Sequence, residues 1–528
     1  MVTLTHDLNT STATLHNVSV HNGRYCFAAG LEDLAFRNGW GDHAAYFTED
    51  GTWTYSQVHD TAARAVAVLR LLGVRPGDRV LIALPDGIGW VVAFLAVARA
   101  GCTVVPVNPE LTADDHAFMA GDCDARLVIT TPELSLRFGS WQCLTVAELM
   151  AGAADADRSV PVATDVPLYV HYTSGTTGRP KGVVHPQRNP AAYHHSVGRA
   201  LGVRAGDTTL SVSKLFFTYG FCNALVFPLF SGSAAVLIGG RPTPEVVGEL
   251  VARHRVSLLY AVPSWFGRVV AEGDQGKFAS VRAAVSGGER FPRDMTERAA
   301  EFLEAPVLNQ LGATEVGCAA TANTLAHNVP GTIGRPVPGY RVEVRDSELR
   351  AVGDEVEGSL WVRGPALMSG YLDRPEATAE VLVDGWLHTR DRVVRHADGT
   401  YTHVARSDDL EMVGGITMSP MDVEDVLRTH REVREVAVAA VPDQVGATKL
   451  RAFVVPEPGY TEAGLEAELL VLARENLAPY KVPRSVRFVS ALPRTSTGKL
   501  RRFALRAGTA DLQPARSTKD ESHAERDR

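Results

Sequence analysis

The chain has 528 residues, of which 45% are hydrophobic and 22% charged, and a formal net charge of −8. This length exceeds what one hydrophobic core organises, so two or more domains are expected, with the composition of a soluble globular protein. The acidic balance excludes a general nucleic-acid binder, whose domains carry a basic face.

At the N-terminus, Met1 to His6 lacks the basic-then-apolar pattern of a signal peptide. From Thr54 onward helical and strand textures alternate. Thr54 is a predicted N-cap for a helix over Tyr55 to Leu72, where apolar residues recur at helical spacing. Arg79 to Leu84 predicts a short apolar strand. The run from Trp90 to Ala98, the longest apolar one, predicts a buried helix and is too short to span a bilayer. Val104 to Val107 and Leu127 to Thr130 predict further strands, with a helix between them capped by Thr112 and Asp115. Strand–helix–strand units with wholly apolar strands imply parallel sheets covered on both faces.

Leu168-Tyr169-Val170 predicts a strand that runs into Tyr172-Thr173-Ser174-Gly175-Thr176-Thr177-Gly178-Arg179-Pro180-Lys181-Gly182. Glycines spaced by hydroxyl residues make a loop whose backbone N–H groups converge on an anion, and Lys181 adds a positive charge. Such a loop suits the phosphates of a nucleotide. It is not a Walker A loop, which needs Gly-Lys where this chain has Pro180-Lys181. The bland alternative is a Gly/Ser/Thr surface turn.

A second α/β series runs from Ser211 to Leu311, with a helix opened by Thr243-Pro244-Glu245 and strands at Leu258 to Val262 and Val281 to Val285. Gly312-Ala313-Thr314-Glu315 follows the strand-like Val307-Leu308. Thr314 can donate to an α-phosphate, and Glu315 can hold Mg²⁺ beside a polyphosphate. After Gly331, short strands and Gly/Pro turns predict a small β-rich subdomain. Asp391 is a carboxylate suited to accept from ribose hydroxyls, with a surface-turn aspartate as the alternative.

The polar stretch Ala405-Arg406-Ser407-Asp408-Asp409 separates this body from a smaller α/β unit. Its helices are predicted from Ser419-Pro420 and over Glu462 to Leu477, with strands near Val436 to Val441 and Leu450 to Val455. Pro493-Arg494-Thr495-Ser496-Thr497-Gly498-Lys499-Leu500 puts Lys499 on a flexible loop, as suits a residue that enters and leaves a site between two steps. Read alone, it is a solvated charge. Cys26, Cys102, Cys123, Cys143, Cys222 and Cys318 show no C-x-x-C spacing and read as reduced thiols of a cytoplasmic protein.

In order and spacing, Thr173 to Gly182, Gly312 to Glu315, Arg406 to Asp409 and Thr495 to Lys499 resemble the adenylate-forming superfamily. That group contains acyl-CoA synthetases, luciferases and peptide-synthetase adenylation domains. The likeness spans about Tyr46 to Leu505. Lys214-Leu215-Phe216-Phe217-Thr218-Tyr219-Gly220-Phe221-Cys222-Asn223-Ala224, with Gly240-Arg241-Pro242-Thr243-Pro244-Glu245, resembles the benzoate–CoA ligase branch.

The resemblance implies an α/β fold in which residues 1–407 form a large N-terminal body of parallel αβ layers plus the β-rich subdomain. A mobile α+β C-terminal lid over 408–507 and a disordered tail over 508–528 complete it. It also implies site roles. Thr173, Ser174, Gly175, Thr176, Thr177, Gly178 and Lys181 would grip the phosphates. Gly288, Glu289, Arg290, Asn309, Gln310, Leu311 and Gly312 would frame the adenine. Asp391 and Arg406 would bind ribose, Asp408 would be the hinge, and Gly414 and Gly415 would border the thiol tunnel. Lys499, Thr314 and Glu315 would be catalytic, with Glu315 the metal ligand. Phe217, Thr218, Tyr219, Gly287, Gly317, Cys318 and Ala319 would line the acyl pocket, with Phe216, Trp265 and Phe266 nearby.

The implied activity is that of an ATP-dependent aromatic-carboxylate–CoA ligase using ATP, Mg²⁺ and coenzyme A, with secondary-metabolite biosynthesis as a setting. Small residues at Gly287 and Gly317 to Ala320 suggest an acid larger than benzoate, a substituted benzoate or a naphthoate type. Thr218 could hydrogen-bond a ring substituent. Delivery to an acyl carrier protein or another acceptor, a homodimeric assembly, and a non-catalytic nucleotide-binding scaffold are the competing readings. Departures from the family pattern are Arg390 and Ala405, where glycine is common, Asn309, where aspartate is usual, and Met412, where lysine is found.

Overall fold

Runs such as Val80-Leu81-Ile82 offer no polar face to water, and all three side chains are fully buried in the computed structural model. It describes residues 23–152, 159–173, 179–406, 411–413, 416–442, 448–457, 460, 462–494 and 500–506. Ser174, Gly175, Thr176, Thr177, Gly178, Asp408, Gly414, Gly415, Lys499 and the tail 508–528 lie outside the described residues.

Arg79–Ala83 pairs in parallel with Thr103–Pro106 on one side and Leu127–Thr130 on the other. Pro167–Thr173 joins Thr103–Pro106 in parallel. Next come Lys181–Pro186 and Gly370–Tyr371, both antiparallel. Among the described residues this sheet has seven strands. The centre of the second, nine-stranded sheet is also parallel, with Thr208–Ser211, Leu258–Ala261, Ala283–Ser286 and Val307–Gly312 in succession. Ala319–Ala322 then returns antiparallel to Val307–Gly312.

The expectation of parallel sheets therefore holds at both centres. It fails where Lys181–Pro186 and Ala319–Ala322 extend the sheets toward their edges, because the short connections before them leave no length for a crossover and only an antiparallel return closes. Those edges carry the candidate site.

The helix Tyr55–Leu71 is opened by a reciprocal capping box between Thr54 and Gln57. Helix Ile88–Arg99 is apolar nearly all round because it is buried nearly all round. Its Phe94 lies 5.1 Å from Phe221 and 6.5 Å from Tyr169, tying the strand Pro167–Thr173 to the helical segment that begins at Thr218. That segment runs through the turn Thr218–Phe221, a π-helical stretch Cys222–Val226 and Phe227–Ser231, ending at left-handed Gly232. π-helical stretches widen a helix locally and recur at functional sites.

Residue contacts divide the chain into two units, Met1–Thr389 with Arg395–Thr402, and Arg390–Val394 with His403–Arg528. Asp391 and Arg406 thus count with the second. Within that unit Val433–Pro442 pairs antiparallel with Thr448–Pro456, which pairs in parallel with Ser485–Phe488. Val423, Leu427, Val438, Ala452 and Leu469 fill its core. Glu424 and Arg502 are both buried and ion-paired, and each also reaches the backbone of Val438, which satisfies charges that would be costly alone. Among the described residues no helix is long and apolar enough to cross a membrane.

Candidate active site

The phosphate-type loop is closed at its base by Thr173 opposite Lys181 in the antiparallel register. Tyr371 sits opposite Val183, two residues along the same strand, so it shares a face with Lys181. The Lys181 ammonium lies 5.3 Å from the centroid of the Tyr371 ring. The Tyr371 hydroxyl donates to Glu315 Oε1 at 2.8 Å. A cation, a phenol and a carboxylate are thereby brought to one place from three separate strands and turns.

Glu315 stands on the single 3₁₀ turn Thr314–Val316, which follows the strand Val307–Gly312. The turn is pinned from below. His185 Nε2 lies 2.7 Å from the Thr314 carbonyl oxygen, which can only accept, so Nε2 carries the proton. Nδ1 is then an acceptor, taking the Tyr193 hydroxyl at 2.9 Å, and the Tyr193 oxygen lies 3.0 Å from that of Tyr169. Burial pushes His185 down to about 4, partly opposed by its bond to Thr314, so the imidazole is neutral at physiological pH. On the other side of the turn, Met368 N donates to the Glu315 carbonyl at 2.8 Å.

Among the described residues no cluster of three or more His, Cys, Asp or Glu side chains could hold a metal. Glu315 is a single carboxylate at this place, and nucleotide enzymes commonly hold Mg²⁺ by one or two carboxylates with phosphate oxygens and water.

Gly317 ends the turn with φ +79°, and a Cβ there would lie 1.9 Å from the Tyr193 hydroxyl. Glycine is required at this position by backbone and by Tyr193, so its smallness makes no room for a larger acid. Gly287 leaves limited space, since a Cβ there would lie 3.3 Å from Gln310 Cγ.

The acyl-pocket candidates converge around these elements. Tyr219 donates to the Val285 carbonyl at 2.9 Å, two residues before Gly287. Cys222 Sγ lies 3.2 Å from the Gly317 carbonyl, and Ala319 pairs with Gly312. Thr218 Oγ1 lies 3.1 Å from His171 Nδ1. Phe217 meets Phe216 edge-on at 4.5 Å. Trp265 and Phe266 belong to the hydrophobic core, Phe266 stacking on Phe291 and the Trp265 indole donating to the Pro242 carbonyl.

The segment ahead of Thr218 is held by buried Asp86 and half-buried Lys214. Asp86 accepts from the Leu215 N–H at 2.9 Å, while Lys214 donates to the carbonyls of Ile238 and Gly240. Burial raises Asp86 to about 7, with Lys214 opposing, and lowers Lys214.

Among the adenine-frame candidates, Glu289 accepts from the N–H and hydroxyl of Ser264 at 3.0 and 3.2 Å. The Asn309 amide donates to the Thr332 carbonyl at 3.2 Å, and its Oδ1 is buried without a hydrogen-bond partner among the described residues. Gln310 Oε1 is in the same condition.

In the second unit, Asp391 is buried and accepts from His403 Nε2 at 3.1 Å, with Arg406 Nη1 3.7 Å from the same oxygen. Arg390 adopts φ +64°, the left-handed region, which accounts for the glycine common there. Lys499 lies outside the described residues, but the ends of its loop are fixed. Arg494 bridges Leu500, Arg501 N donates to the Pro493 carbonyl at 2.8 Å, and the Arg494 side chain donates to Glu435 at 2.6 Å.

His171, His185, Tyr193, Tyr371 and His403 were not singled out from the sequence. The only signal was a set of polar side chains in otherwise apolar strands, as in Tyr169-Val170-His171 and Val183-Val184-His185.

The profile of the AMP-binding enzyme family matches residues 34–372, and that of the AMP-binding enzyme C-terminal domain matches 422–499. A p-hydroxybenzoic acid–AMP ligase of Mycobacterium tuberculosis is 39% identical over 481 residues, covering 90% of this chain and 68% of the relative. A benzoate CoA ligase structure from Burkholderia xenovorans matches with TM-score 0.84 and 33% identity over 91% of this chain and all of that one. The structure of an anthranilate CoA ligase in complex with anthranoyl-AMP matches with TM-score 0.85 and 28% identity, over 92% of this chain and 98% of that one.

Proposed function

Because the chain belongs to the AMP-binding enzyme family, we propose that it is an ATP-dependent aromatic-acid ligase that forms an aryl-adenylate and passes the aryl group to the thiol of coenzyme A. The observation that carries the reading is the meeting of Lys181, Tyr371 and Glu315 on the same strands and turns that lead into the aromatic wall at Thr218 and Tyr219.

In this reading Thr173 to Lys181 grip the β- and γ-phosphates, and Gly288 to Arg290 with Asn309 to Gly312 frame the adenine. Asp391, ordered by His403 and Arg406, accepts from the ribose hydroxyls. A carboxylate oxygen of the acid attacks the α-phosphorus and pyrophosphate leaves. Negative charge gathers at one centre, and Lys499 and the hydroxyl of Thr314 offset it. Glu315 would hold Mg²⁺, which when bound neutralises polyphosphate charge. The thiol sulfur then attacks the acyl carbon and AMP departs, with Gly414 and Gly415 bordering the thiol's path and Asp408 serving as hinge.

The acid we favour is a monocyclic benzoate with a polar ring substituent. The bicyclic acid suggested by small residues loses Gly317, since Tyr193 occupies the space beside it, and rests on Gly287 and on Cys318 to Ala320. A second acceptor, the pantetheine of a carrier protein, is compatible with one relative's being named an AMP ligase, a name that specifies no thiol acceptor. All six cysteines are free thiols, which fits work in the cytoplasm.

Pyrophosphate release across benzoic, hydroxybenzoic, aminobenzoic, naphthoic and aliphatic acids tests the reading, with coenzyme A or a carrier protein added in parallel. Expected is release that depends on an aromatic acid, and thioester only when a thiol acceptor is present. Release indifferent to the acid, or an aliphatic preference, would overturn it.

A further inference from the structure

His171 lies on the strand Pro167–Thr173, two residues ahead of the loop base, and is 2% exposed. Its ring is wedged against Tyr169 at 4.7 Å and meets Phe221 edge-on at 5.3 Å. Nδ1 is engaged by Thr218 Oγ1 at 3.1 Å. Nε2 is buried with no hydrogen-bond partner among the described residues. A neutral imidazole carries one N–H and one lone pair, so with Nδ1 committed to Thr218 an unused hydrogen-bonding position is left at Nε2. Leaving such a group unpaired in the interior is destabilising, and a native fold that tolerates it calls for an explanation.

The surroundings say what kind of group would fit. Thr218 is half-buried and opens the helical segment that leads to Cys222, next to Tyr219 and the Gly317 carbonyl. Its hydroxyl can donate in one direction while accepting in another. Burial holds His171 down at about 3, with His185 nearby acting the same way, so no positive charge awaits an anionic substituent. A second carboxylate on the ring would be desolvated without compensation. A methyl group would leave the imidazole as unpaired as before. A phenolic hydroxyl or an aromatic amine is neutral and can both donate and accept.

We propose that His171, together with Thr218, is the specificity determinant that selects an aromatic acid carrying a hydroxyl or amino substituent on its ring. This rests on the reading of the site as an aromatic-acid ligase and names the substrate class within it. A site built to hydrogen-bond a substituent discriminates strongly against the analogue lacking it, because its own buried groups are then left unpaired.

The test compares kcat/KM for acid-dependent pyrophosphate release by the full chain. The acids are the ortho, meta and para hydroxybenzoates and aminobenzoates, each against the methylbenzoate of the same substitution. Wild type is expected to favour at least one hydroxyl or amino isomer over its methyl counterpart by about 100-fold or more. In His171→Leu that ratio should collapse to within about threefold, and His171→Asn should restore part of it. A merely structural defect would lower both acids of a pair together and leave the ratio standing. Should His171→Leu fail to fold, Thr218→Ala, at a half-buried position, gives the same readout.

A ratio unmoved in these variants, or a wild-type preference for the methyl acids, overturns the inference alone. Release with none of the acids overturns the ligase reading, and the inference with it. Separate hydroxyl and amino arms show which substituent is selected.

Discussion

Two ends of the candidate site in the larger unit share the strands Pro167–Thr173 and Lys181–Pro186 and are built by opposite means. At one end Lys181, Tyr371 and Glu315 are half-buried, and a full cation and a full carboxylate are kept within reach of water. At the other, His171, His185, Tyr193 and Cys222 are buried and neutral: His185 and Cys222 bond to backbone carbonyls, Tyr193 bonds to His185, and His171 bonds to the Thr218 hydroxyl. Charge is retained where a polyphosphate would sit and removed where a ring would sit. His185 acts here as an uncharged brace for the turn that carries Glu315.

The largest expected effect concerns that neutrality. Burial lowers His59, His171, His185 and His194 to about 4, 3, 4 and 4. In the unfolded chain each protonates near its ordinary value of about 6.5, so the unfolded state binds protons first as pH falls. Their stability contribution is complete above about 6.5 and is lost on descent toward 4, by about 1.4 kcal/mol per pH unit for each residue. Asp86, raised to about 7, works the other way, because the folded chain holds its proton first. Four histidines against this one aspartate leave a net loss toward acid. Denaturant titrations from pH 7 to 4.5 should show it, and a flat profile would break the contrast between the two ends.

Next comes Lys499→Ala, which leaves both ends of the larger unit untouched. Adenylation should slow by about two to three powers of ten, the usual effect of losing a charge-stabilising donor, while thioester formation from preformed adenylate changes far less. Single-turnover assays of each half-reaction separate these outcomes, and equal losses in both would deny Lys499 a step-specific role.

Gly317→Ala should destabilise the fold by about 2–3 kcal/mol, through overpacking against Tyr193 and a left-handed backbone. An unchanged melting temperature would mean that Tyr193 is not fixed where the hydrogen bonds hold it. Tyr371→Phe is the mildest change. Loss of one donor to Glu315 costs about 1 kcal/mol, seen as a several-fold rise in the magnesium concentration for half-maximal rate with the melting temperature nearly constant.

Legibility in the sequence divides along the same line. Thr173, Lys181, Thr314 and Glu315 could be singled out as candidates because phosphate chemistry needs glycines, hydroxyls and charges next to one another along the chain. His185 and Tyr371 could not, since their partners Thr314 and Glu315 lie 129 and 56 residues away and only the sheet brings them together. Gly317 was legible as a small residue, but its reason, the Tyr193 hydroxyl, was not. Apolar strands announced the parallel sheet centres, and the antiparallel edges carrying the site followed from loop length. Arg390, a departure from the family's glycine, is held at the left-handed φ that explains the glycine.

The most direct measurement follows oxygen. An aromatic acid with both carboxylate oxygens labelled with ¹⁸O is turned over with ATP, magnesium and coenzyme A, and the products are weighed by mass spectrometry. If the carboxylate attacks the α-phosphorus, each AMP carries one ¹⁸O and the pyrophosphate none. Unlabelled AMP, label in pyrophosphate or phosphate, or ADP as the nucleotide product would contradict an aryl-adenylate.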